Sequence, residues 1–110
     1  IGLSISDGVP STALEAMLMG SFPIQSNTSC IDEMLHDGET GMLVHPNDPE
    51  SVAAAIWRAV TDDELVDRAA DANARLMAER LDQSVVKPQV VAMYEKILAR
   101  ERAGGTRSLA

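Results

Sequence analysis

The chain has 110 residues with nine Lys and Arg against seventeen Asp and Glu, a net charge of -8 and a pI near 4.5, which argues against a nucleic-acid partner because phosphate backbones are gripped by clustered cations. Hydrophobic residues make up 45% of it, too many for a disordered chain, and no run of about 18 apolar residues reads as a membrane span. One domain at most fits this length, and with Phe, Tyr and Trp occurring once each its core is expected to be aliphatic, filled by Leu, Ala, Val, Ile and six Met.

Residues 1–6, "IGLSIS", read as a strand ending at Asp7. A helix is expected from Ser11 or Thr12 to a stop at Gly20, with Leu14, Met17 and Leu18 on one face. "FPIQS" is a second short strand closed by the turn-forming "NTS". Ser29 can cap a single helical turn over 31–35, and the two glycines of "HDGETG" permit a tight path into a third strand, "MLVH". Asp48-Pro49 is a capping acid before a proline at the first helical position, opening a helix to Thr61 with Val52, Ala55, Ile56, Ala59 and Val60 on its stripe. Thr61-Asp62-Asp63-Glu64 has a capping-box pattern, its acids set against the dipole of a helix that runs to about Arg80 with Leu65, Ala69, Ala72 and Leu76 inward. A last helix spans Asp82 to about Arg100, interrupted or begun by Pro88, with Val86, Val90, Met93 and Ile97 on one face and Val91, Tyr94 and Leu98 widening it. Residues 103–110 read as a flexible tail. The alternation of apolar runs and helical patterns predicts an α/β fold, a parallel sheet covered by helices, with a helical carboxyl-terminal half.

Asp7 and Glu15 stand eight positions apart around the turn that opens the first helix. Ligands of parallel sheets bind at the carboxyl ends of strands, where a helix start offers unpaired N–H groups to an anion. The amides of Gly8, Val9, Ser11 and Thr12 could face a phosphate or sugar hydroxyls there, whereas Pro10 has no N–H to give. On spacing alone Glu15 fits the bland reading better, since Thr12-Ala13-Leu14-Glu15 matches a capping box whose Glu bonds back to the cap.

The stretch "DGVPSTALEAMLMGSFPI", followed by "SCIDEMLHDGETGMLVHPNDPESVAAAI", resembles the carboxyl-terminal domain of glycosyltransferase family 4, enzymes of the GT-B fold whose members carry a pattern like E-G-x-P-x-x-x-L-E-A-M-x-x-G. The resemblance covers residues 1–56 most specifically. It implies a partial Rossmann-like domain over 1–102 that transfers a hexosyl group from a nucleoside diphosphate sugar to a hydroxyl acceptor, with retention, in cytoplasmic polysaccharide biosynthesis. It further implies that Glu15 accepts hydrogen bonds from the ribose hydroxyls. Asp7, where most members have Glu, would lie near the donor sugar as the candidate catalytic residue, and the amides of Gly8, Val9, Ser11 and Thr12 would hold sugar and diphosphate with neither metal nor cofactor. Two other readings stand beside it: a nucleotide-sugar-binding module without turnover, and a structural or interaction domain.

Ser29-Cys30 stands where many members have Gly-Gly, and its structural reading is a cap and a packed small thiol. Alone, Cys30 excludes an intrachain disulfide and a Cys-pair metal site and suits a reduced, cytoplasmic setting. His36 and His45 read as solvated turn residues, and the methionines as core filler. The chain opens without Met or a basic stretch, so no signal peptide is expected and the sequence reads as cut from something longer. An acceptor-binding amino-terminal domain would then be missing, membrane association would run only through missing parts, and the apolar faces of residues 1–6 and of the last helix would invite self-association.

Overall fold

In a computed structural model, residues 1–6, 8–28 and 30–104 are described. Strands β1 (Ile24–Ser26) and β2 (Met42–Val44) run parallel with Ile24 opposite Met42 and Ser26 opposite Val44. The amino-terminal segment lies along the other edge of β1 through a parallel bridge at Gly2, whose N–H donates to the Ile24 carbonyl at 2.9 Å and whose carbonyl accepts from the Ser26 N–H at 2.9 Å. The expected strand over residues 1–6 thus reduces to one bridge, with the Ser26 hydroxyl donating to the Ser4 carbonyl at 2.5 Å beyond it. All three residues of β1 are buried, as in a parallel strand covered on both faces.

Helix α1 (Ser11–Leu18) ends in a Schellman motif. Ser21 N–H donates to the Ala16 carbonyl at 2.9 Å and Gly20 N–H to the Met17 carbonyl at 3.4 Å, with Gly20 at φ 78°, a conformation that glycine takes without steric cost. Its inner face is Ala13 and Met17; Leu14 is half-buried and Leu18 exposed, so the expected face is rotated by about one residue. The single helical turn is a 3₁₀ turn, Ile31–Glu33, with Cys30 at its amino end and no side-chain cap; the cap expected of Ser29 lies outside the described residues.

Helix α2 (Pro49–Thr61) starts as expected, the Asp48 carboxylate accepting from the Ser51 N–H at 3.2 Å. Only Ala55 is fully buried on it, with Val52 and Ala59 half-buried, while Ile56 and Val60 are exposed. Helix α3 (Asp63–Arg80) is capped by Asp62, which accepts from the Leu65 N–H at 3.0 Å. Thr61, expected to be the cap, instead closes α2 by donating its hydroxyl to the Trp57 carbonyl at 2.7 Å. The buried line of α3 is Leu65, Ala69, Asn73 and Met77, a strict four-residue ladder, with the expected Ala72 and Leu76 half-buried beside it.

Among the described residues three clusters form the core. Ala13, Ile31 and Leu35 pack with Val9 and Leu43 on one side of the strands. Met17, Met34 and Met77 join α1, the 3₁₀ turn and α3, with Val9, Leu14 and Leu76 around them. Ile24, Val44 and Ala55 pack α2 onto the opposite side, helped by Phe22, Met42, Val52 and Ala59. The methionines divide accordingly: three fill the core, whereas Met19 and Met93 are exposed.

The chain divides into two compact units between Met77 and Ala78. The second carries helix α4 (Gln83–Gly104), which passes through Pro88 without a break and extends beyond the expected end near Arg100. The Asp82 carboxylate caps it, accepting from the Ser84 N–H at 2.9 Å and the Ser84 hydroxyl at 2.5 Å. The tail expected over 103–110 begins inside this helix, and residues 105–110 lie outside the described residues.

Candidate functional site

Residues 8–12 follow the amino-terminal segment at the carboxyl end of the parallel strands. Pro10 is the residue before α1, in extended geometry at φ -67° and ψ 132°, and its carbonyl accepts from the Ala13 N–H at 3.1 Å and the Leu14 N–H at 3.4 Å. The amides of Ser11 and Thr12 have no preceding turn to donate to, which leaves them for other acceptors. Both residues are exposed. Beneath them Val9 is half-buried and packs against two of the core clusters, so the backbone of this turn is anchored from below. A Cβ added at Gly8 would meet nothing within 4 Å, so the side of the turn that glycine leaves bare faces open space.

The structure removes the capping reading of Glu15. Helix α1 begins at Ser11, so Thr12 is already inside it and Glu15 lies in the second turn, out of reach of the helix start. Among the described residues no side chain caps this helix, and its first turn contains no acid. In contrast, α2, α3 and α4 each begin at an aspartate carboxylate that accepts a backbone N–H. Glu15 is exposed, one turn on from Ser11 and three residues from Thr12, and therefore on the face that they share. Asp7 lies outside the described residues.

β1 leaves the sheet at this same end through Asn27 and Thr28, and Cys30 follows. The packed thiol expected there is exposed instead, because the 3₁₀ turn buries Ile31 in its place. His36 and His45 are exposed in turns, as expected; His45 Nδ1 accepts from the Asn47 N–H at 3.1 Å. Among the described residues no group of three His, Cys, Asp or Glu could hold a metal ion, and no helix is long and apolar enough to cross a membrane.

A concavity of about 350 Å³ lies at the amino end of β2, away from the turn over 8–12, and is lined by Gly38, Glu39, Leu65, Arg68, Asp71, Ala72 and Arg75. It contains none of the candidate site residues read from the sequence. Its charges balance, two guanidinium groups against two carboxylates, and no sequence motif announces them, because they meet only where α3 passes the turn over 36–41. That turn is tightly made: Gly38 sits at φ 77°, the Thr40 hydroxyl accepts from the His36 N–H at 2.8 Å, and the Asp37 carboxylate accepts from the Leu43 N–H at 2.8 Å. Asn73, the other residue that sequence reasoning missed, donates its side-chain amide to the Thr40 carbonyl at 2.8 Å, while its buried Oδ1 has no hydrogen-bond partner.

Parallel strands with helix layers on both sides, and an uncapped helix start at their carboxyl end, define the class as a doubly wound α/β domain. Solved structures of GT-B glycosyltransferases share this arrangement. Sucrose-phosphate synthase from Thermosynechococcus elongatus superposes with a TM-score of 0.77 at 24% identity, over 83% of this chain and 23% of that one. A glycosyltransferase from Rickettsia africae ESF-5 does so with a TM-score of 0.72 at 21% identity, over 79% and 24%. Residues 1–76 match the profile of the group 1 glycosyl transferases, and the chain belongs to that family. Its curated relatives include the MMP alpha-(1->4)-mannosyltransferase of Mycolicibacterium hassiacum, 32% identical over 91% of this chain and 25% of that protein. The phosphatidyl-myo-inositol mannosyltransferase of Mycolicibacterium smegmatis is 35% identical over 76% of this chain and 22% of that protein. The chain thus spans about a quarter of the length of the curated relatives it matches.

Proposed function

We propose that this chain supplies the donor side of a retaining family 4 glycosyltransferase, acting in the cytoplasm, which moves a hexosyl group from a nucleoside diphosphate sugar to a hydroxyl acceptor. One observation carries the reading: among the described residues α1 is the one α-helix that begins with neither a side-chain cap nor an acid in its first turn, at the carboxyl end of the strands and inside the region matched by the family profile. An uncapped helix start with its N–H groups outward favours an anion.

In this reading the amides of Ser11 and Thr12, with those of Gly8 and Val9 in the preceding turn, hold the diphosphate and the sugar. Pro10 contributes no donor. As the bond from the sugar's anomeric carbon to the diphosphate breaks and the bond to the acceptor oxygen forms, negative charge gathers on the leaving diphosphate, and fixed N–H dipoles stabilise it without a metal. The acceptor hydroxyl's proton passes in the same exchange to an oxygen of the leaving diphosphate. Glu15 offers two carboxylate oxygens to the two vicinal hydroxyls of the ribose, a charge-assisted pairing that its freedom from capping leaves open. Asp7 takes hydroxyls of the donor sugar.

Titration calorimetry with a nucleoside diphosphate sugar tests the division of roles. Glu15→Ala is expected to weaken donor binding by about 1 to 3 kcal/mol, the cost of losing a charged hydrogen-bond partner, while leaving the melting temperature unchanged. Asp7→Asn is expected to keep affinity for the nucleoside diphosphate and lose turnover. Parental donor affinity in Glu15→Ala would remove Glu15 from the site.

A further inference from the structure

The first compact unit, residues 1–77, contains no lysine and three arginines, Arg58, Arg68 and Arg75, in a chain of net charge -8. All three gather at the turn over 36–41. Arg68 and Arg75 line the concavity of about 350 Å³ together with Gly38, and Arg58, in the last turn of α2, brings its Nη1 to 3.8 Å from where a Cβ on Gly38 would stand. Two helices thus send cations to one glycine, whose φ of 77° and missing side chain leave bare backbone there.

Arg68 and Arg75 are seven residues apart on α3, so they share a face and stand roughly 10 Å apart along its axis, with the small Ala72 between them. The turn opposite spends its own donors internally. Gly38 N–H donates to the Gly41 carbonyl at 2.9 Å, and the N–H groups of Glu39 and Thr40 both donate to the His36 carbonyl at 3.0 Å, so donors for a ligand come from the guanidinium groups. Asp71 is three residues from Arg68 and four from Arg75, spacings at which helical ion pairs form, yet among the described residues none of the three arginines is paired with a carboxylate. Arg68 Nε donates to the Glu64 carbonyl at 3.3 Å instead.

One guanidinium fork fills the two oxygens of a carboxylate, whereas a phosphate has oxygens for forks arriving from two sides. Glu39 and Asp71, also in the lining, oppose a second anionic group on the same ligand and can accept from hydroxyls. We propose that this hollow is a ligand site in its own right, taking a small phosphomonoester whose phosphate lies between Arg68 and Arg75, with Arg58 adding its charge at Gly38. It is independent of the donor site, because the two lie at opposite ends of the parallel strands.

Amide-resolved NMR titration of the chain with inorganic phosphate, glycerol phosphate and acetate, at constant ionic strength, tests this. Both phosphates are expected to move the signals of Gly38, Glu39 and Ala72 and the Nε signals of Arg68 and Arg75, acetate much less. Glycerol phosphate is expected to bind the more tightly, through its hydroxyls. Arg68→Ala and Arg75→Ala should each weaken binding about tenfold, the loss of a charged hydrogen-bond partner, and Asp71→Asn should tighten it about threefold, with melting temperatures confirming that each variant folds. Shifts confined to residues 8–12, parental affinity in both arginine variants, or equal shifts with acetate would each overturn the proposal. Tighter binding of inorganic phosphate than of glycerol phosphate would overturn the phosphomonoester in favour of free phosphate.

Discussion

Two glycines show how the same residue type serves different ends. A Cβ at Gly41 would stand 2.5 Å from the Pro23 carbonyl oxygen and 2.8 Å from Pro23 Cγ, and that carbonyl already accepts the Met42 N–H at 2.9 Å as β2 begins. The neighbour is backbone and cannot step aside, so Gly41→Ala is expected to cost about 1 to 3 kcal/mol of stability, read by thermal denaturation. At Gly8 the added methyl would meet nothing. Gly8→Ala should therefore melt with the parent yet bind the nucleoside diphosphate sugar about tenfold less tightly, because the methyl occupies the approach of the ligand to the turn. Matching losses of stability in the two variants would mean that Gly8 is structural as well. Glu15 belongs to the same scale: a four-residue pattern suggested a capping acid, and whether Glu15 can cap depends on where the helix starts, at Ser11.

At the scale of elements, the helix starts follow elementary chemistry. Asp48, Asp62 and Asp82 each accept a backbone N–H that the first turn leaves unpaired. The sequence marked Asp48 because proline follows it, but it misassigned the start of α3 to Thr61, since Thr61 and Asp62 are both good caps and only the end of α2 separates their roles. Asp82 makes this chemistry measurable. The Ser84 hydroxyl and then the Ser84 N–H hold its carboxyl below the ordinary carboxylate value. A lowered folded pKa gives stability that is present above the unfolded pKa and is lost as pH falls through the folded one. The first turn of α4 is thus expected to loosen on acidification through that window, seen as faster amide exchange at Ser84, Val85 and Val86. Asp82→Asn should abolish this response while leaving the other acid transitions in place. An unchanged acid response in that variant would assign it to another carboxylate.

At the scale of the whole molecule, the first unit is held together by contacts that join distant stretches. Met17, Met34 and Met77 meet in one cluster, and Asn73 fastens α3 to the turn that feeds β2 through its bond to the Thr40 carbonyl. Asn73→Ala would leave that carbonyl without its donor and is expected to lower stability by about 1 to 3 kcal/mol in urea titration, with an unchanged slope. An unaltered midpoint would show that the bond contributes nothing net. The α/β alternation, the stop at Gly20 and the helix start at Pro49, and the run of residues that carries the family likeness were legible in the sequence, because backbone preferences of glycine and proline and the periods of helix and strand act over a few neighbouring residues. Which side of each helix faces inward was less legible. On α2 and α3 the apolar stripe was broader than the buried one, and selection among its members fell to the neighbours: Ala55 and Ala69 are buried where elements approach closely, Ile56 and Val60 are left outside, and a polar Asn73 is taken in because Thr40, thirty-three residues away, offers it an acceptor. Residues 1–6 have strand composition, yet only Gly2 pairs, since a strand exists only where a neighbour meets its hydrogen bonds. Local chemistry, written in the order of residues, determined the elements and their starts; burial, the exposure of Cys30 and the freeing of Glu15 from capping were decided only when those elements packed, because each depends on atoms that sequence proximity does not bring together.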